Sequence, residues 1–256
     1  MKTIVPCPTC GESEDTPTLF FADYYDDHTI RAQCPLGHPV VAIVQNPKFE
    51  TLLETGSDSL VLGQTLQASA AFSSARERAF EFATQVLLRR LGISRDVYRA
   101  MFKDMSSQSE RQLGAFLTAH LAVTKTAFTL NQSIPKFRNN VIHKGKIPPP
   151  DEALSFCSSV FDEIRLVCEV LRAHCREQIG AVILEKNSDR VRDLKGSTRI
   201  ATVSLFSIYS ITSDPTPDSF ESALEKYREW KQLFSENSVS SLMYFLQKNH
   251  KKQENS

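Results

Sequence analysis

The sequence predicts a mostly α protein in which a small β domain precedes a helical bundle. From about residue 65 onward, apolar residues recur every three or four positions, which is the spacing of an amphipathic helix. Before residue 47, aromatic and β-branched residues instead form short runs separated by turn residues. The chain of 256 residues is long enough for one large domain or two modest ones.

The composition is that of an ordinary globular protein. Hydrophobic residues make up 41% and charged residues 23%, so the chain has enough apolar material for a core. Its 30 basic and 30 acidic side chains cancel, and no overall field attracts nucleic acid or a membrane. The first 60 residues carry only three basic but nine acidic side chains. Binding of nucleic acid therefore requires a local basic patch in the remainder.

The sequence also predicts a cellular location. The first residues lack the apolar segment of a secretory signal peptide, and no run of about 18 apolar residues predicts a membrane-spanning helix. Six cysteines are too few for a disulfide-stabilised scaffold of this length. We therefore expect a reduced, cytoplasmic protein that makes no contact with a membrane.

The predicted β domain covers residues 1–46. Two runs of β-forming residues, 19–25 and 40–44, lie on either side of a polar turn at Asp26 and Asp27. Strand-forming runs around a polar turn predict a small β ribbon.

The helical bundle is predicted over residues 65–195. One helix is expected over about 66–91 and a second over about 110–130. A third, long helix follows three prolines, with Asp151 as its N-cap. Three cysteines lie on the apolar face of this third helix and are expected in the core: Cys157, Cys168 and Cys175.

Two further segments have weaker patterns. Residues 47–64 are mixed in character and contain two glycines, so we expect a linker. Residues 196–256 form a C-terminal extension without an assigned role. Within it, 199–212 is β-branched and apolar and fits either a strand or a buried helix, whereas 219–234 predicts a helix.

Two short cysteine-containing turns predict a metal site. Cys7-Pro-Thr-Cys10 and Cys34-Pro-Leu-Gly-His38 each supply two ligands, and the predicted ribbon separates them. Thiolate and imidazole are the ligands that zinc prefers, and four protein ligands leave no open position for catalysis. We therefore predict a structural zinc ion in a fold that resembles a zinc ribbon. Reduced surface thiols are the main alternative, and a thioredoxin-like pair is a weaker one because no βαβ pattern surrounds it.

The segment 131–150 is basic and contains no acidic residue. Ser133 is predicted to cap a short helix with Pro135 in its first turn, and Gly145 to end it in the left-handed conformation. Arg138 and His143 lie on this helix, where α-helical geometry sets them about 140° apart, although both can border one groove. Three lysines are expected to bind the phosphate backbone of a nucleic acid: Lys136, Lys144 and Lys146.

A second charged group lies on the first long helix. Arg76, Glu77, Arg78 and Glu81 would normally form an exposed face. They lie among several phenylalanines, however, which leaves room for one of them to point inward.

The sequence RNNVIH at 138–143 resembles the R-x4–6-H motif of HEPN domains, including the polar residue after the arginine. The flanking sequence FRNNVIHKGKIP, the helices from about 65 to 180 and the segment SSARERAFEFATQVLL are also similar to HEPN proteins that carry a zinc ribbon. This resemblance implies a metal-independent endoribonuclease that forms a homodimer, with two motifs facing one cleft. It further implies a toxin or antiphage defence effector, with RNA as substrate and an antitoxin or regulatory protein as partner.

The residue types suit this chemistry. His143 can act as general base or acid near neutral pH, and Arg138 can bind phosphate oxygens through two donors. Asn139 can orient the histidine or bind a phosphate oxygen. A purely structural role is the alternative, in which Arg138 caps helix carbonyls and His143 packs under the proline-rich loop. The alternative function is a non-catalytic module that dimerises through the bundle and recruits a partner through the zinc ribbon.

Overall fold

The computed structural model describes residues 2–13, 18–25, 28–106, 108–194 and 199–236. The predicted mostly α fold class, with a small β region at the N-terminus, is confirmed. The chain divides into two compact units. The first contains Met1–Gln45, Arg190–Leu205 and the chain from Ser222, and the second contains Asn46–Asp189 and Phe206–Glu221.

The first unit contains two small sheets. In one sheet β1 (Lys2–Pro6) pairs antiparallel with β2 (Leu19–Asp23), and the short helix α1 (Pro8–Ser13) lies between them in sequence. In the other, β3 (Thr29–Gln33) pairs antiparallel with β4 (Pro39–Val44). The two predicted runs form β2 and β4, but these strands lie in different sheets instead of one ribbon, and their partners β1 and β3 were not predicted. The predicted turn at Asp26 and Asp27 lies outside the described residues.

The strand β5 (Ile200–Val203) completes the second sheet. It runs parallel to β4, with Val41 opposite Ile200 and Val44 opposite Val203. Residues 199–212 were expected to form either a strand or a buried helix. The strand is correct, but it covers only Ile200–Val203. Four residues of the predicted C-terminal extension, Ile200–Val203, therefore belong to a sheet of the first unit.

The second unit is helical. Its elements are α2 (Lys48–Val61), α3 (Thr65–Arg90), α4 (Arg95–Lys103), α5 (Ser109–Thr124), α6 (Ser133–Arg138), a π-helical turn (Asn139–His143), α7 (Pro150–His174) and most of α8 (Arg176–Asp193). The helix α9 (Phe220–Glu236) begins in this unit and continues into the first.

The predicted linker is wrong, because residues 48–61 form α2. Phe49 and Leu53, one turn apart, are fully buried, so the segment has an apolar face. Gly56 is not a hinge: a Cβ atom there would lie 2.5 Å from the ring of Phe72, so glycine allows α2 and α3 to pack closely. Gly63, at φ +71°, takes the left-handed conformation just after the helix.

Two predicted helix ends also differ. The helix α5 ends at Thr124 rather than near residue 130, because Lys125 adopts φ +61°. The helix α7 begins at Pro150, so Asp151 lies in the first turn, where its charge favours the positive end of the helix, instead of at the N-cap. Cys157, Cys168 and Cys175 are buried, which confirms their expected place in the core. Among the helices that the structure describes, none has both the length and the apolar character needed to cross a membrane.

A buried carboxyl on α2 makes stability depend on pH. Burial raises the pKa of Glu50 to about 7, although the N–H of Ile211 and the side chain of Asn46 donate hydrogen bonds to it. The folded protein thus retains a proton that the unfolded chain loses near pH 4.5. Below about pH 4.5 this proton contributes its full stabilisation of the folded state. As the pH rises through 7 the stabilisation is lost, which lowers the free energy of unfolding by roughly 3 kcal/mol.

We therefore expect the free energy of unfolding to fall between pH 5 and pH 8, as measured by denaturant titration. The Glu50→Gln variant, which cannot ionise, should show a smaller fall. An equal fall in both proteins would contradict the prediction.

Candidate functional site

Four candidate metal ligands of the first unit lie together. All of their ligand atoms lie within 4.8 Å of one another: those of Cys7, Cys10, Cys34 and His38. The Nδ1 atom of His38 is 3.9, 3.3 and 3.6 Å from the three sulfurs, and the sulfurs of Cys10 and Cys34 are 3.9 Å apart. Metal–sulfur and metal–nitrogen bonds of about 2.3 and 2.0 Å give a tetrahedron with edges of about 3.6–3.8 Å. The cluster therefore has the size to hold one metal ion.

Strand ends position these ligands. Cys7 directly follows β1, and Cys10 lies on α1. Cys34 follows β3 and His38 precedes β4, so the turn between these strands returns His38 to the cysteine. Gly37, at φ +84°, makes this turn possible and donates its N–H to the Cys34 carbonyl at 2.9 Å.

The environment of Cys34 favours a thiolate. Burial acts to raise its pKa, but hydrogen bonds from the backbone N–H groups of His38 and Leu36 and from the side chains of Cys7 and Cys10 together outweigh burial and lower the pKa to about 7. The thiolate is the form that binds a metal. Cys7, Cys10 and Cys34 are all buried and free of disulfides, so the alternative of surface thiols is wrong.

In the second unit, Arg138 and His143 are in contact. The Nη1 atom of Arg138 lies 3.4 Å from Nε2 of His143. The α-helical geometry that we assumed separates the two residues by 140°, but residues 139–143 form a π-helical turn. A π-helix bonds residues five apart, so it brings positions 138 and 143 to the same side. Gly145 at φ +67° ends the turn in the predicted left-handed conformation.

Glu77 on α3 fixes the arginine. Its Oε1 atom accepts a hydrogen bond from Nη2 of Arg138 at 3.0 Å and another from the Ser109 hydroxyl at 3.2 Å. The guanidinium thus binds the carboxylate through one nitrogen and faces His143 through the other. Glu77 was not predicted as a site residue, although it belongs to the charged group on this helix.

The arginine also borders a cavity. The cavity has a volume of about 180 Å³ and lies between α3, α5 and α6. Arg138 and Asn139 line one side of it, and Glu77, Phe80 and Leu113 are among the residues on the others. Arg138, which contacts His143, therefore lies beside a cavity that a small ligand can enter.

One member of the charged group points inward. Arg76 lines the same cavity and is only 9% exposed, so an inward residue is confirmed. Its Nε pairs with the buried carboxylate of Glu163 on α7, which also accepts the Asn131 N–H at 2.9 Å. The Nη2 atom of Arg76 is buried and has no hydrogen-bond partner in the described parts of the chain.

The predicted backbone-binding lysines differ in their surroundings. All three are exposed on the segment that carries the π-helical turn. Lys146 forms an ion pair with Glu152 at the start of α7, so part of its charge is already neutralised. Lys136 and Lys144 form no ion pair with any residue that the structure describes.

The particular contacts expected for a purely structural role of Arg138 and His143 are not among those of the described residues. Arg138 contacts a carboxylate and an imidazole, not helix carbonyls, and His143 is exposed instead of packed under the proline-rich loop. In comparisons with protein-family models, curated proteins and solved structures, nothing matches this chain. The assignment of a function therefore depends on the site itself.

Proposed function

We propose that the protein is a metal-independent endoribonuclease of the HEPN type that uses Arg138 and His143 on RNA. The observation that carries the proposal is the contact between His143 and Arg138, an arginine that also lines a cavity. An exposed histidine is available to move a proton, and the neighbouring guanidinium can bind the phosphate on which the reaction takes place.

The histidine is proposed to act as general base. In this contact the guanidinium of Arg138 can donate a hydrogen bond to Nε2 of His143, and the ribose 2′-hydroxyl takes its place when RNA binds. His143 takes the proton of the ribose 2′-hydroxyl, and the 2′-oxygen attacks the phosphorus. The bond from phosphorus to the 5′-oxygen breaks and that oxygen is protonated, which leaves a 2′,3′-cyclic phosphate.

Arg138 is proposed to stabilise the charge that develops on the phosphate oxygens. Glu77 restricts it to one orientation, so little reorganisation is needed during the reaction. Asn139 lies next to it at the cavity and can bind a further phosphate oxygen. Lys136 and Lys144, and more weakly Lys146, are proposed to bind the RNA backbone.

The direct test is an assay of purified protein on single-stranded RNA in the presence of EDTA. Cleavage with cyclic phosphate or 3′-phosphate ends supports the proposal. Intact RNA at micromolar protein would contradict it and favour an interaction module. We further propose a toxin or defence effector that is restrained by an antitoxin or regulatory protein. Growth arrest when the wild-type protein is expressed, but not when a variant that cannot cleave RNA is expressed, would support this.

We further propose a homodimer. One motif provides one histidine, whereas the reaction needs a base and an acid, and a second copy facing the same cleft would supply the acid. We expect light scattering to give twice the chain mass of 28.8 kDa at micromolar concentration. A monomer that still cleaves RNA would contradict this proposal.

The metal in the Cys7, Cys10, Cys34 and His38 cluster is proposed to be zinc with a structural role. Three thiolates and one imidazole in tetrahedral arrangement suit zinc, and they complete its shell without an open position. In a small β region, such an ion supplies much of the folding free energy.

We expect about one zinc per chain by metal analysis of the purified protein, and its loss in the Cys10→Ser variant. The Cys175→Ala variant is the control, because Cys175 is also buried but lies outside the cluster. Chelation should unfold the first unit, as seen by proteolysis of residues 1–45. A wild-type protein without metal, or with a disulfide between Cys7 and Cys10, would contradict the prediction.

A further inference from the structure

Two polar residues that line the cavity beside Arg138 have groups that the proposed reaction does not use. The first is the guanidinium of Arg76, which lies over the Phe80 ring at 4.8 Å from its centre and whose buried Nη2 has no hydrogen-bond partner in the described ranges. A charged donor in this position is costly unless a ligand accepts its hydrogen bonds. The second is Oε2 of Glu77, because the bonds from Arg138 and Ser109 both go to Oε1.

The size of the cavity restricts the ligand. Pockets for drug-sized ligands span about 300–1,000 Å³, whereas a cavity of about 150 Å³ holds benzene. At about 180 Å³, this cavity fits one heteroaromatic ring system and excludes a whole nucleotide. Phe80, Leu113 and Ile134 provide apolar surface for the faces of such a ring.

The charge in the cavity favours a neutral ligand over an anion. Arg76 and Arg138 line it, but so do Glu77 and Glu110, and the four charges cancel. A phosphate would approach two carboxylates, whereas a polar uncharged ring can use donors and acceptors together.

We propose that this cavity binds a guanine base of the RNA, next to the phosphate that is cleaved. Guanine presents two adjacent acceptors, O6 and N7, which match an arginine, and the N1 and N2 donors, which match a carboxylate. Adenine and cytosine place an amino donor where guanine has O6, and this donor would face Arg76. Uracil offers a carbonyl acceptor and one donor, so it fits less completely.

The proposal rests on the proposed function but is testable apart from it. Cleavage sites are mapped in EDTA on single-stranded RNAs of random sequence. We expect guanine at one fixed position beside the cut, preferred about tenfold or more over each other base. Uracil or no base at that position would overturn the proposal while leaving the nuclease in place.

Binding is measured separately on the His143→Ala variant, with the four nucleoside monophosphates as probes in calorimetry. GMP should bind at least about tenfold more tightly than AMP, CMP or UMP. GMP binding without any RNA cleavage would support the guanine pocket and contradict the nuclease. Equal or absent binding of all four probes would overturn the pocket.

Two variants test whether the preference for guanine depends on the cavity. Arg76→Lys keeps the charge opposite Glu163 but removes the planar donor, so guanine preference should fall to within about threefold of the other bases. Leu113→Trp should fill the cavity from a half-buried position while leaving the ion pair between Arg76 and Glu163 intact. Arg89→Lys is the control, because Arg89 pairs with Glu185 and does not line the cavity. Unchanged guanine preference in both cavity variants would overturn the proposal.

Discussion

Replacing His143 by alanine should lower the rate of RNA cleavage by about 10²–10⁴-fold, because removal of a general acid–base group typically has this effect. RNA binding should remain largely intact, since the lysines and Arg138 that are proposed to hold the backbone are unchanged. The rate is measured under single-turnover conditions in EDTA, and binding is measured by fluorescence anisotropy with the same RNA.

His174→Ala is the matched control, because His174 is also an exposed histidine at the end of a helix of the second unit. It should cleave at the wild-type rate. Arg138→Lys should cleave slowly although it keeps the positive charge, because lysine cannot bind a carboxylate and face an imidazole through a planar fork. Equal rates in wild type and His143→Ala would show that the nuclease interpretation is wrong.

The metal cluster was predictable because its ligands are set by local sequence. Two ligands three or four residues apart fit one tight turn, and residue types alone limit the ion that they bind. Of the strands that flank the ligands, β4 was visible as a run of β-forming residues, whereas β1 and β3 were not predicted. The pairing of β4 with β5 was not predicted either, because nothing in the sequence near Val41 indicates a partner at Ile200.

The candidate catalytic pair was found from the sequence, but its geometry was not. Arg138 and His143 were singled out by their basic surroundings and by the resemblance of RNNVIH to the R-x4–6-H motif, and Gly145 correctly indicated the end of the helix. Their contact depends on a π-helical turn, which has no clear residue signature and is rare enough that α-helical geometry is the natural assumption.

The cavity was the least predictable feature, because its residues come from distant parts of the chain. Glu77 contacts Arg138 across 61 positions, and Arg76 contacts Glu163 across 87. The useful signal was the occurrence of charged residues among phenylalanines on α3. Such a pattern indicates that a charge is buried, but it does not identify the partner that neutralises it.

The Glu163→Ala variant should lower the free energy of unfolding by about 3–5 kcal/mol, which is the usual effect of removing one partner from a buried ion pair. Glu163 is only 2% exposed, and its loss leaves the guanidinium of Arg76 buried without a counter-charge. The backbone N–H of Asn131 also loses its acceptor. The free energy of unfolding is measured by denaturant titration at neutral pH. Its slope against denaturant concentration is compared between the variants.

The control lies on the same helix. Glu169 is 46% exposed and forms an ion pair with Arg165 one turn away, so Glu169→Ala should cost at most about 0.5 kcal/mol.

Replacing both partners, as in Arg76→Met with Glu163→Leu, should recover much of the lost stability, because a buried apolar pair carries no uncompensated charge. This double variant lacks the arginine donor that is proposed to bind guanine. It should therefore fold and cleave RNA, but without preference for that base. A Glu163→Ala protein as stable as Glu169→Ala would mean that Arg76 is not buried against this carboxylate, and the guanine pocket would lose its main support.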